Sequence, residues 1–258
     1  GRGQSIPFSG PIKRKKRDKR TQNISFLNRS EYNDFAVDVL PNLSSDAKPH
    51  HIAEVTTLGT DGSRYIYGIA AYNNTQKEIT FSVGSTDIMN HDNSSSLTDA
   101  ASKGLVDYSG TDNSTSNSKG IDNYFSSTTT PAYAHSYLLT SVLTPDYIDV
   151  DSIRGPSDGD FGGYTKFRYK KISNFKWRTP VEANKATFAE GLKSEYQDDK
   201  ANIIYGEKEL WFLDSIITKN YIAVFHKSNR HDGLGVNGVD GGLNTGNKIL
   251  KLDSISLY

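Results

Sequence analysis

Three groups of residues in this chain have types and spacings that bear on chemistry. The first is acidic. Asp149, Asp151, Asp158 and Asp160 crowd a glycine-rich stretch, and Asp232 and Asp240 flank a second one. Carboxylates gathered on such loops can hold Ca²⁺, a hard cation that takes oxygen ligands. Neither stretch follows the EF-hand order with its closing Glu. Asp and Gly also favour turns without any metal. Turn chemistry is therefore the preferred reading, with calcium the one cofactor in view.

The second group is aromatic. Tyr65, Tyr67 and Trp177 are candidates for stacking on a glycan. Cross-strand packing is the competing role for such side chains, and it is preferred for Trp211. The third group is histidine: His50, His51, His91, His135, His226 and His231. His226 and His231 could meet a metal together with Asp232, since imidazole and carboxylate are common ligands. They span a strand end and a loop, however, and lack the His-Glu-x-x-His pattern that puts two rings on one helix face. Surface roles are expected for them.

Several function classes fall away. There is no cysteine, so Cys nucleophiles and Cys-based zinc sites are excluded. No Gly-x-Ser-x-Gly elbow, phosphate loop or dinucleotide fingerprint is present. No catalytic residue can be nominated, and the chain is read as a non-enzyme. A hydrolase would need a carboxylate pair about 5–9.5 Å apart, and 30 acidic residues leave too many pairs to choose from. The basic run at residues 13–20 lacks interleaved aromatics and is broken by Asp18. With a net charge of zero, a solvated segment is expected there rather than a nucleic-acid site. No apolar run approaches the roughly 20 residues that span a bilayer.

The elements that must position these residues read as strands. Hydrophobic residues are 35% of the chain, against roughly 45–50% in an average domain. Tyrosine, threonine and isoleucine suit half-buried pleated surfaces. Residues 23–27 read as a strand, and Ser30 is placed to cap a helix over 31–39 that Pro41 ends. Residues 54–83 predict a meander with turns at 60–63 and 73–76. Residues 96–106 suggest a short helix, and 109–120 an exposed mobile loop with little to bury. Strands are expected at 136–143, 164–172, 209–218, 221–226 and 249–258, with a tight bend at Asn220 and a Gly/Asn loop at 233–247. Ala186, Ala189 and Leu192 predict a helix over 183–196.

The fold class is therefore all-β: a mainly antiparallel sheet built from hairpins, with one or two short helices in the connections. Residues 1–83 form an N-terminal β segment with a basic start, 84–130 a polar loop, and 131–258 a hairpin sheet continuous with 1–83. Both chain ends read as cuts within a longer polypeptide.

One pattern recurs. Leu139-Thr140-Ser141-Val142, Leu213-Asp214-Ser215-Ile216 and Leu252-Asp253-Ser254-Ile255 all read Leu-x-Ser-[Val/Ile], each in a strand-like run. The second leads through a turn into an aromatic strand, Tyr221 to Phe225. This arrangement resembles the hairpin units of Rhs/YD-repeat proteins, although their full Tyr-Asp repeat with its Gly-Arg partner is not present. The runs at residues 205–216 and 164–169 resemble very large exported proteins of Bacteroidota more closely. Residues 136–258 carry most of the resemblance, and 1–83 less. The resemblance implies a secreted or cell-surface β scaffold that works as part of a larger parent polypeptide in attachment, predation or toxin delivery. A β module binding glycan or a surface protein is the alternative. Asp151-Ser152-Ile153 resembles the Bacteroidota O-glycosylation acceptor pattern, which makes Ser152 the candidate. Ser215 and Ser254 share that pattern but are expected on buried strand faces.

Overall fold

Side chains alternate between the two faces of a pleated strand, so an all-β chain must bury one face of a sheet against another layer or against itself. This chain does the second. The computed structural model describes residues 23–33, 44–84, 104–151, 155–192, 194–195 and 197–258. Its strands are β1 (Ile24–Asn28), β2 (Ile52–Leu58), β3 (Arg64–Tyr67), β4 (Ile69–Ser82), β5 (Leu105–Asp107), β6 (Phe125–Thr130), β7 (Tyr133–Leu138), β8 (Ser141–Leu143), β9 (Tyr164–Thr179), β10 (Lys185–Phe188), β11 (Lys200–Thr218), β12 (Ile222–Val236) and β13 (Leu243–Leu257). One helix, α1 (Arg29–Asn33), follows β1. All the strands belong to one sheet, and every ladder is antiparallel.

The ladders close a ring. β4 pairs with β11, β11 with β9, and β9 with β8. β8 is the direct continuation of β7, which pairs back onto β4. A closed ladder hides backbone groups that an open edge would expose. From the ring, β3, β2 and β1 extend one way, and β12 and β13 extend the other. The main core lies at one end. Phe81, Val83, Val106, Ala186, Ala201 and Ile203 are buried there.

β11 organises the sheet. By alternation its odd-numbered residues share a face. Ala201, Ile203 and Tyr205 enter the core, and Glu209 and Trp211 follow on that face toward the far end. β4 runs beside β11 as far as Asn73 opposite Lys208, where its register slips. Beyond that point β4 departs, and the next amide along it, that of Tyr72, would lose its partner. The Glu209 carboxylate takes the place of a backbone carbonyl: the Tyr72 N–H donates to Oε2 at 3.1 Å. Trp211 Nε1 donates to the same oxygen at 3.2 Å, and Lys171 Nζ donates to Oε1 at 3.2 Å. Both charged side chains are nearly solvent-free, at 9% and 2% exposure. The Lys171 ammonium also sits 5.3 Å from the Trp211 ring centroid.

Several expectations are corrected. No turn forms at 73–76, because β4 is paired on both edges through that stretch, and ladder bonds override the local turn preference. The helix expected over 183–196 is instead β10, which bridges β5 and β11, followed by a single 3₁₀ turn, Glu190–Leu192. Asn184 opens this stretch with a positive φ of 53°, a conformation outside the helical region. The strand expected at 136–143 is broken at Leu139 and Thr140. There the Thr140 hydroxyl accepts from Gly68 N and donates to Ile66 O, both at 3.1 Å. A Cβ on Gly68 would fall 2.8 Å from that hydroxyl.

The segment 109–120 is a chain of compact turns rather than an open loop. Most of its residues are exposed or partly exposed, as expected, but two polar ones are buried and hold the turns: Asp112 accepts from Ser109 N, and Asn117 donates to the carbonyls of Ser82 and Asp112. Phe125–Thr130, assigned above to a polar loop, is strand β6. β13 begins at Leu243, so the Gly/Asn loop is shorter than 233–247. α1 is described over Arg29–Asn33, and 34–43, the basic run, His91 and most of the 96–106 helix lie outside the described residues. Only the end of that helix is described, and Leu105–Asp107 is strand. Ser215 is buried as expected, but Ser254 is exposed.

Replacing Lys171 by Met should strand the Glu209 charge in a dry site. The expected loss is about 3–5 kcal/mol in chemical denaturation, the range for breaking a buried pair. The double variant Lys171→Met/Glu209→Gln should recover part of that loss. A single-variant loss under about 1 kcal/mol, the value of a surface pair, would contradict the described network.

Candidate functional site

The departure of β4 from β11 opens a cleft. β3, the N-terminal continuation of β4, joins β8 instead, and β2 lies outside it. The enclosed space is about 520 Å³, inside the ~300–1,000 Å³ range of small-ligand sites. One wall carries Glu54 and Thr56 from β2 and Arg64 and Ile66 from β3. The opposite wall carries Lys166, Phe167, Arg168 and Tyr169 from β9, with Trp211 and Asp214 from β11. Ser141 and Leu143 of β8 lie between, since Ile66, Ser141 and Lys166 are direct neighbours across three strands.

The wall groups are held in place. Tyr169 donates its hydroxyl to Leu139 O at 2.8 Å, at the break between β7 and β8. Arg64 Nη2 donates to Tyr147 O at 2.8 Å, and its guanidinium lies 5.5 Å from the Tyr147 ring centroid. Lys166 Nζ reaches Pro156 O at 3.1 Å. Asp214 is engaged by Lys227 at 3.0 Å. Glu54 is buried and accepts weakly from Thr56 Oγ1 at 3.4 Å.

The loop between β8 and β9 forms one end of the cleft through Tyr147, Asp149, Gly155 and Pro156. Asp160 is its anchor and is 2% exposed. It accepts from Tyr147 Oη at 2.6 Å, Val150 N at 3.0 Å and Ser157 N at 2.8 Å. Burial works against its charged form, but these donors outweigh it and hold the pKa below the ordinary carboxylate value. The Tyr147 hydroxyl is pushed up by burial and by this carboxylate.

The sequence candidates divide. Asp149, Asp151 and Asp160 come together, with one carboxylate oxygen from each mutually within 4.8 Å. Asp158 does not join them, because the Tyr164 hydroxyl claims it at 2.6 Å. Burial and that bond lift the Tyr164 pKa to about 12. Such a trio could accept a hard cation through oxygen ligands. Asp240 accepts instead from Tyr108 Oη and Asn113 Nδ2. Asp232 is bound by Arg230, whose guanidinium brings its pKa down to about 2. His226 pairs with Ser256, and His51 with the buried Tyr72 hydroxyl. Ser152 lies outside the described residues.

None of the three glycan candidates lines the cleft. Tyr65 and Tyr67 alternate with Arg64 and Ile66 and so face away from it. Trp177 packs across the sheet on Gly206, where a Cβ would come within 2.6 Å of the indole. Trp211, assigned above to packing, is the tryptophan on the cleft wall. Arg64 and Arg168 were not singled out from the sequence. The alternation in residues 164–170 put Lys166 and Arg168 on one face, but only the strand order β3–β8–β9 brings Arg64 to the same space.

No protein-family model, curated protein or solved structure matches this chain.

The lowered Asp160 pKa has a definite sign. A carboxyl depressed on folding adds stability above its unfolded value, ~pH 4, and loses it as the pH falls through the folded value. The amides of Val150 and Ser157 should therefore stay protected at neutral pH and open as acid protonates Asp160. Asp160→Asn should be less stable at pH 7 and show no such acid step. An unchanged acid transition in the variant would assign the step elsewhere.

Proposed function

We propose that this chain is a non-catalytic β-sheet module of a larger secreted or cell-surface protein, and that its cleft binds a saccharide. The observation that carries the reading is the composition of the cleft walls. Aromatic rings and hydrogen-bonding groups line one space from opposite walls. Sugars present apolar C–H faces that suit rings such as Trp211 and Tyr169, and hydroxyls that suit Thr56, Glu54 and Arg64. Rigid walls lower the ordering cost of binding. Asp214, the carboxylate of the β11 wall, is engaged by Lys227, which supports recognition over hydrolysis. The acidic trio beside the cleft is proposed to take calcium, which would stiffen the loop carrying Tyr147 and Asp149.

A second reading, a scaffold segment of the same larger protein, is favoured by β13. Among the described residues it pairs only with β12, and Leu252, Ile255 and Leu257 on it are more than half exposed. The resemblance to Rhs/YD-type hairpins supports that context. On this reading the segment is one of several joined β units of a secreted bacterial protein.

On a glycan array the protein should retain a defined subset of oligosaccharides. Trp211→Ala should abolish retention, with circular dichroism confirming the β signal. Trp177→Ala, outside the cleft, should leave retention intact. Loss with Trp177→Ala and not with Trp211→Ala would refute the assignment. Calcium should raise the melting temperature, and Asp151→Asn should remove that rise; no rise in the parent protein would sink the metal proposal.

A further inference from the structure

Three cationic side chains line the cleft: Arg64, Lys166 and Arg168. Two of them stand out by what they lack. Among the described residues, neither Arg64 nor Arg168 has a carboxylate partner. Arg64 is fixed by the Tyr147 carbonyl and ring, which leaves part of its five-donor fork unused. Arg168 is exposed at the mouth. Of the acidic groups on the walls, Asp214 is already neutralised by Lys227 at 3.0 Å. Asp149 belongs to the loop cluster with Asp151 and Asp160, and Glu54 lies buried at the base of β2. The charge open to a ligand between the β3 and β9 walls is thus guanidinium.

We propose that the cleft selects an acidic saccharide, a hexuronate unit whose carboxylate is bound by Arg64 and Arg168 while its ring lies against Trp211 and Tyr169. This inference rests on the saccharide reading above. A planar guanidinium meets a carboxylate through two parallel N–H···O bonds, which an ammonium cannot reproduce. A neutral sugar would leave both forks facing water or unmatched hydroxyls. The carboxylate of a uronate matches them, and its hydroxyls remain for Glu54, Thr56 and Ser141. The strand order places the arginines on opposite sides of β8, since Arg64 opposes Leu143, which opposes Tyr164. Arg168 lies four residues along β9 from Tyr164, and both arginines line the one cleft.

The test is isothermal titration of the intact chain with trisaccharides of galacturonate, glucuronate and mannuronate, each beside its methyl ester. Esterification keeps the ring and removes the charge. At least one acid should bind roughly tenfold or more tighter than its ester, in keeping with charge-assisted bonding. That advantage should shrink as salt screens the mouth. Arg168→Gln, at an exposed position, should cut the advantage without changing the melting temperature. Arg64→Gln should do the same, and Arg168→Gln alone decides if Arg64→Gln fails to fold. Equal binding of acid and ester would overturn the acidic preference and leave the saccharide reading standing. An acid preference that survives both variants would overturn the role of the arginines. Binding of neither, with no hit on the array, would end the saccharide reading and this inference with it.

Discussion

A buried carboxylate sets the geometry on which the cleft depends. Where two strands of a sheet part, the amides that faced each other lose their partners, and a dry, unpaired N–H is costly. Glu209 meets this need at the fork between β4 and β11. One oxygen serves the Tyr72 amide and the Trp211 indole, and the other serves Lys171. The carboxylate would itself be expensive in this setting without Lys171 beside it. The pair thus lets a continuous sheet open without orphaning the Tyr72 amide, and the opening is the cleft. Because Trp211 is both a partner of Glu209 and a wall residue, the fork and the binding surface are one construction.

A second buried cation holds the opposite end. Arg178 is 3% exposed and reaches five carbonyl or hydroxyl oxygens: Val239, Pro180, Glu182, Lys185 and the Tyr108 hydroxyl. These ligands tie the end of β9 to β10 and to the β12–β13 turn. Burial lowers its pKa and lifts that of Tyr108 to about 12. The two ends therefore differ in kind. One is a dry core closed by a guanidinium, and the other is a wet cleft where guanidiniums remain open to a ligand. The outer strands differ again. β13 and β1 carry exposed apolar side chains, Ile24 and Phe26 among them, while a bulge and the Lys251–Asp253 pair interrupt β13, devices that discourage edge pairing.

The fold class was legible because Tyr/Thr/Ile alternation acts locally, and each Leu-x-Ser-[Val/Ile] run does fall in or beside a strand of the one sheet. What was not legible were features fixed by pairing. Asn73-Asn74-Thr75-Gln76 has strong turn chemistry, yet two neighbouring strands hold it straight. The Ala186 and Ala189 spacing suits a helix, yet Ala186 is buried in a strand between β5 and β11. The site followed the same division. The acidic loop announced itself by composition, but which aspartates would converge depended on Tyr147 and Tyr164, each of which claims one. Tyr65, Tyr67 and Trp177 had the right chemistry on the wrong face. Arg64 and Arg168 are separated by more than a hundred residues, and no spacing rule connects them.

The most direct measurement of the central constraint is amide hydrogen exchange at Tyr72. With the Glu209 carboxylate standing in for a ladder carbonyl, this amide should exchange as slowly as those of Ile79 and Phe81 in the parent protein. In Glu209→Ala it should become fast while those two remain protected. Fast exchange at Tyr72 in the parent protein, or slow exchange that survives the loss of the carboxylate, would contradict the account.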